Sequence, residues 1–179
     1  LVRSLAAIEG VEDLALTTNG LMLSDLAIPL REAGLRRITV SLDAISRDIA
    51  LRVNGRADSA DRTMEGIVAA QNAGLGVKVN SVVQRGLNEQ DVLPLARRFR
   101  GTGVTLRFIE FMDVGNHNGW KPEKVISSKE ILQILDEEFA LENLPKNYVG
   151  EVARRYRYAD GSGEIGVISS VSQPFCGEC

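Results

Sequence analysis

The feature that most narrows what this chain can fold into is the phase of its side chains along four strand-like segments. Alternate residues of a strand point to opposite faces of a sheet. Over 37–43, Ile38, Val40 and Leu42 share one face, and Arg37, Thr39, Ser41 and Asp43 share the other. Over 77–83, Val77, Val79 and Val83 oppose Lys78 and Asn80; over 104–111, Val104, Leu106 and Phe108 oppose Thr105 and Arg107. Over 12–18, Leu14 and Leu16 oppose Asp13, Ala15 and Thr17. A parallel sheet sandwiched by helices is apolar on both faces, and a filled barrel packs its interior with branched apolar side chains. Here one face carries hydroxyls, an amide, a lysine and an arginine, and buried charges without partners are too costly to keep. The phase fits a polar cavity for a hydrophilic, partly anionic ligand. It also fits a face open to solvent, or one on which Lys78 and Arg107 pair with Asp13 and Asp43.

Between these strands the periodicity predicts helices over 22–33, 60–72 and 89–100, with a short helical stretch before the second. That alternation is the pattern of a parallel α/β architecture. After Phe111 the character changes. Residues 112–120 form a Gly/Asn-rich loop, a helix over 127–138 opens on the serine cap Ser127, and 156–161 and 164–171 read as two strands around Asp160-Gly161, a hairpin signal. A boundary near 120–125 divides the chain into a barrel-like part, 1–122, and an extension, 123–179.

The length of 179 residues suits one domain with a substantial core. No apolar run approaches the roughly 20 residues that cross a bilayer, so no membrane partner is expected. A net charge of −3 argues against general nucleic-acid binding but leaves room for one anionic ligand. The start, Leu1-Val2-Arg3-Ser4, shows neither an initiator methionine nor a signal-peptide layout. Two cysteines imply no disulfide framework and fit a cytoplasmic home. They occupy the last four positions as Cys176-Gly177-Glu178-Cys179, so the chain reads as a piece cut from a longer one.

Cys-x-x-Cys places two thiolates close enough to share a metal ion or iron–sulfur cluster. It could equally be a redox pair, half of a structural zinc site, or two unrelated thiols. The redox reading is weakened because the motif follows a predicted hairpin and opens no visible helix. His117, the only histidine in the chain, fits the solvated loop better than a ligand set.

Leu16-Thr17-Thr18-Asn19-Gly20, Val40-Ser41-Leu42-Asp43, Val77-Lys78-Val79-Asn80, the run from Arg107 to Gly115, and Ile168-Ser169-Ser170 through Pro174-Phe175-Cys176-Gly177-Glu178-Cys179 resemble, in order and spacing, the MoaA family. These are radical S-adenosylmethionine (SAM) GTP 3′,8-cyclases of molybdenum-cofactor biosynthesis. The resemblance implies an α/β fold, a partial open (β/α)₆ barrel with a C-terminal extension. It also implies two [4Fe–4S] clusters. One, on an N-terminal CxxxCxxC motif, cleaves SAM to a 5′-deoxyadenosyl radical that abstracts a ribose hydrogen from GTP. The other, with three cysteine ligands, holds the guanine end.

Carried over residue by residue, the resemblance makes Thr17 a GTP contact through its hydroxyl, Ser41 a SAM contact, and Lys78 a triphosphate contact. Arg107 would sit at the reacting nucleotide, holding phosphate oxygens or orienting the base. Met112 would contact the SAM adenine, and Cys176 and Cys179 would be two of the three C-terminal cluster ligands. GTP and SAM are the implied small-molecule partners, handover goes to the cyclic pyranopterin monophosphate synthase, and a homodimer is compatible with the family.

The CxxxCxxC motif and the glycine-rich GGE segment expected before Leu1 are absent from the chain, as are the third cluster cysteine and the basic residues that follow the CxxC. The chain is therefore expected to be inactive alone. Three other readings stay open: a different radical SAM enzyme with auxiliary clusters, such as a peptide maturase; a non-catalytic nucleotide-binding domain; and a plain sugar-phosphate barrel enzyme, which leaves the terminal CxxC unexplained.

Overall fold

The structure is a computed structural model that describes residues 1–115 and 119–173. The chain runs α1 (Val2–Ala6), β1 (Ala15–Thr18), α2 (Leu23–Glu32), β2 (Arg37–Ser41), α3 (Arg47–Asn54), α4 (Ser59–Asn72), β3 (Gly76–Val83), α5 (Val92–Phe99) and β4 (Thr105–Glu110). It continues as α6 (Ser128–Asp136), β5 (Leu141–Leu144), β6 (Arg154–Tyr158) and β7 (Glu164–Ile168). The seven strands form one sheet in the order β1-β2-β3-β4-β7-β6-β5. β1 to β4 are parallel neighbours, and β7 joins β4 in parallel. β6 and β5 then complete the sheet as antiparallel strands.

The apolar phase of the strands explains this layer. Ile38, Val40, Val79, Leu106, Phe108, Ile165 and Val167 are all buried at or below 1% exposure. With Leu23, Ala27, Ile67, Leu95, Ala96, Ile131 and Leu135 from the helices they form one continuous core. At roughly 25 cal/mol per Å² of apolar surface removed from water, this face carries most of the favourable energy of folding. Gly66 lets α4 approach the turn after β1 closely, since a Cβ there would meet the Gly20 carbonyl oxygen at 2.5 Å and Leu23 Cβ at 2.8 Å.

Two connections are fixed by side chains distant in sequence. Asp91 is buried and accepts from the backbone N–H groups of Ile45 and Ser46 at 2.9 and 3.1 Å, which caps the start of α3 from outside it. Asn88 donates to the carbonyls of Asp43 and Val82 at 2.7 and 2.8 Å. The helix expected from Ser127 begins one residue later, with Ser127 as its cap in a reciprocal box with Glu130.

The expected strand over 12–18 is shorter than predicted. β1 lies at the sheet edge with β2 as its one neighbour, and the ladder opens at the Ala15–Arg37 pair. The periodicity gave no sign of α1 or β5. Leu141-Glu142-Asn143-Leu144 does not alternate in the manner of a half-buried strand, and its place is set by pairing with β6.

Candidate functional site

The register turns four separate strand phases into two cross-sheet rows. In the lower row Thr17 pairs with Thr39, Thr39 with Lys78, and Lys78 with Thr105. In the upper row Ser41 pairs with Asn80, Asn80 with Arg107, and Arg107 with Gly166. Paired residues of neighbouring parallel strands share a face, and strands lie about 4.8 Å apart. Thr17, Ser41, Lys78 and Arg107 therefore converge on one surface, opposite the helix-covered core. Met112 lies exposed just past β4, beyond the upper row. Cys176 and Cys179 lie outside the described residues, as do His117 and Asn118.

The two aspartates that could have paired with Lys78 and Arg107 are engaged by other groups. Asp13 pairs with Arg37 at 2.5 Å, and Asp43 accepts from the Val82 N–H at 2.8 Å. Among the described residues, neither Lys78 nor Arg107 has a carboxylate within ion-pair distance. The Lys78 ammonium is held below its ordinary pKa, first by burial, then by the nearby guanidinium groups of Arg107 and Arg37. Glu151 pulls in the opposite direction, and Arg155 adds further repulsion. Of these groups Arg37 and Arg155 have carboxylate partners, so Lys78 and Arg107 are the two cations of this face without one within ion-pair distance among the described residues.

Gly166 keeps the cluster open. A Cβ there would stand 3.1 Å from Arg107 Cγ and 3.7 Å from Ala153 Cβ, so a larger residue would crowd the arginine stem. The neighbouring Arg155 is committed: it donates to Glu164 at 2.8 Å and to the side chain of Asn147 at 2.6 Å. Glu151 is buried and accepts from the Asn147 N–H at 2.6 Å. Arg155 and Glu151 together tie the β5–β6 connection down beside the cationic cluster.

Asn80 Oδ1 is buried without a hydrogen-bond partner, between Ser41 and Arg107 in the upper row. An orphaned buried acceptor costs on the order of 1–3 kcal/mol, and a donor from a ligand would relieve it. At the ends of β1 and β2 a cavity of about 220 Å³ is lined by Asn19, Ser41, Asp43, Asn54, Arg56 and Thr63 among others. Burial raises the Asp43 carboxyl above its ordinary pKa, partly offset by the Val82 N–H. The surface thus sets a cation among hydroxyl and amide groups in each row, Lys78 beside Thr39 and Arg107 beside Asn80.

Some of this was invisible to sequence reasoning. The unpartnered state of Asn80 depends on neighbours from two other strands. Glu151 and Trp120 had no assigned role; the Trp120 indole N–H donates to the Phe111 carbonyl at 3.0 Å. Glu110 belongs by phase to the apolar face, and no periodic signal marked it.

A model of the Radical SAM superfamily matches residues 1–99, more than half of the chain. The chain belongs to the radical SAM superfamily. A second model, Molybdenum Cofactor Synthesis C, matches residues 104–179. The GTP 3′,8-cyclase of Xanthomonas campestris pv. campestris (strain B100) is 54% identical over 180 residues, covering 100% of this chain and 53% of that protein. That of Staphylococcus carnosus (strain TM300) is 48% identical over 179 residues, again covering 100% of this chain and 53% of its own length. This radical SAM chain thus spans about half the length of the curated relatives it matches.

A radical SAM methyltransferase from Sphaerobacter thermophilus superposes with a TM-score of 0.53 at 20% identity, covering 68% of this chain and 36% of that one. That likeness bears on the fold alone. The superfamily implies SAM and a [4Fe–4S] cluster. Among the described residues of this member no helix is long and apolar enough to cross a membrane, and no three His, Cys, Asp or Glu side chains gather as a metal site.

Proposed function

We propose that this chain is the middle portion of a GTP 3′,8-cyclase, in which the polar face of the sheet receives GTP and SAM side by side. The observation that carries the reading is the pair of rows. Lys78 and Thr17 lie in one, Ser41 and Arg107 in the next, and among the described residues no carboxylate stands within ion-pair distance of either cation. Relatives of that name, 44–54% identical across the whole chain, and the two family matches support the same reading.

In this reading β1 to β4 are part of an open (β/α)₆ barrel whose earlier strands precede Leu1. Residues 1–122 supply the barrel wall, and 123–179 begin the region for the auxiliary cluster and GTP. Lys78 binds the triphosphate as a compact point charge, and Thr17 orients the nucleotide through its hydroxyl. Arg107 sits at the reacting nucleotide, where its fork holds phosphate oxygens or orients the base. Ser41, at the strand end beside the 220 Å³ cavity, contacts SAM, and Met112 flanks the adenine. The orphaned Asn80 Oδ1 in the same row fits a ligand rich in hydroxyl and amino donors.

The donor set of Cys176 and Cys179, two thiolates in Cys-x-x-Cys, fits two corners of a [4Fe–4S] cluster. When bound, SAM and its cluster supply radical hydrogen abstraction. The chain's own side chains bind, orient and exclude water. The product passes to the enzyme that makes cyclic pyranopterin monophosphate.

The test is GTP titration by calorimetry on the full-length protein, unmodified and as Lys78→Ala. Hydrogen bonds to charged groups contribute about 1.5–3 kcal/mol, so the variant is expected to bind GTP at least about tenfold more weakly. Unchanged affinity would remove Lys78 from the site and, with it, the anion reading of this face.

A further inference from the structure

We propose that Glu110 is a positioning residue for the Cys176–Cys179 pair, its buried carboxylate fastening the segment that leads into the two thiols onto the end of β4. This rests on the reading of those cysteines as cluster ligands. Glu110 is the last residue of β4 and is 0% exposed, on the opposite phase from Arg107.

Oε1 of Glu110 accepts from the Ser128 N–H at 2.6 Å, the Ser128 hydroxyl at 2.8 Å and the Ser172 hydroxyl at 2.5 Å. Oε2 accepts from the N–H groups of Val171 and Ser172 at 2.8 and 2.7 Å. The Ser169 hydroxyl donates to Ser128 Oγ at 2.7 Å and extends the network. One side chain therefore joins the end of β4, the first turn of α6 and the segment after β7. Burial pushes the Glu110 carboxyl pKa up. The bonds from Ser172, Ser128 and Val171 together outweigh that and hold it below its ordinary value.

The chemistry is specific to a carboxylate. All five partners donate, so the site needs an acceptor with lone pairs on both oxygens. The first turn of α6 adds the positive end of its dipole. Glutamine has nearly the same shape but would turn an NH₂ donor toward two or more donors. Aspartate keeps the charge but is one methylene too short to reach all of them.

Only three residues separate Ser172 from Cys176 in the sequence, and a four-residue step spans at most about 14 Å. Anchoring Val171 and Ser172 to β4 therefore bounds the distance of the first thiol from the strand that carries Arg107. A plain structural staple would have no reason to act selectively on the cysteine pair, and that difference is measurable.

The experiment uses the full-length protein, reconstituted anaerobically, as Glu110→Gln, Glu110→Asp and Cys176→Ala. Expected is a Cys176→Ala protein that lacks the EPR signal of the C-terminal cluster. Glu110→Gln is expected to keep that cluster but alter its signal and release its iron to a chelator on the order of tenfold faster, with the SAM cluster's signal unchanged. Glu110→Asp should fall between. Wild-type release from Glu110→Gln, alongside loss in Cys176→Ala, overturns the role of Glu110 and leaves the ligand reading standing. Equal disturbance of both clusters by Glu110→Gln also overturns it, since that marks general destabilisation. Full cluster retention in Cys176→Ala removes the ligand reading and the proposal together. Should Glu110→Gln not fold, Ser172→Ala deletes one donor. Faster release at an unchanged melting temperature supports the role, and wild-type release sinks it.

Discussion

On the helix-covered face of the sheet Ile38, Val79 and Phe108 are wholly shut off from water, whereas on the other face their sequence neighbours Thr39, Lys78 and Arg107 keep part of their surface. Both faces are made by the same strands, often by adjacent residues, yet they perform opposite tasks. One holds the fold together by dense apolar packing. The other stores polar groups that packing alone would not retain, including a partly buried lysine and an unpartnered amide oxygen. If the polar face binds the nucleotide as proposed, stability and binding are separable here residue by residue. Substitution on the first face should move melting, and substitution on the second should move affinity.

The largest effect that could break this contrast comes from Phe108→Ala, which empties a fully buried ring site. A loss of about 3–5 kcal/mol in urea unfolding is expected, and a loss below about 1 kcal/mol would show that the helix-covered face is not the main source of stability.

Next comes Lys78→Met on the polar face. It removes a cation whose charged form is disfavoured in the fold, so stability should hold to within about 1 kcal/mol or rise. Calorimetry should show GTP affinity falling about tenfold. In the unmodified protein, affinity should also decline as pH climbs through the depressed lysine pKa, because the neutral amine no longer attracts phosphate. Lys78→Arg should push that decline to higher pH.

A smaller change is expected at Glu130, on the first turn of α6. The Arg85 guanidinium, followed by the Ser127 backbone and side chain, holds its carboxyl at about 2, against an ordinary 4.5. A carboxyl lowered by folding stabilises the fold above its unfolded pKa, and that contribution is lost as pH falls from about 4.5 toward 2. Glu130→Gln should flatten the melting temperature across that window. The side chain is 42% exposed, so solvent screening keeps the effect near or below about 1 kcal/mol.

Least of all, Gly166→Ala should cost about 0.5 kcal/mol or less by thermal melting, because the freedom alanine takes from the unfolded chain offsets most of the crowding. The 3.1 Å contact falls on the flexible stem of Arg107, which can shift. A larger loss would mean that Arg107 is held more rigidly than its lack of an ion-pair partner among the described residues implies.

The phase along β2, β3 and β4 was legible because a strand's two-residue period is local: Val79 and Lys78 announce opposite faces without any knowledge of their neighbours. The Ser127 cap was legible for the same reason. Glu110 was not, because its donors lie 18, 61 and 62 residues away. Asp91 likewise caps a helix from 46 residues off. β5 was missed because its sequence carries no alternation and its conformation comes from its partner.

The sequence by itself determined that one side of each strand is apolar and the other polar, and its resemblance to known cyclases pointed to Thr17, Ser41, Lys78 and Arg107. Tertiary structure alone decided that these four stand in two adjacent rows, that Asp13 goes to Arg37 and not to Lys78, and that β7 lies parallel to β4 with a glycine opposite Arg107. The physical reason is that a strand's faces follow from its own covalent geometry. Its register against another strand is a contest among distant segments, settled where the apolar faces align and the buried polar groups find partners.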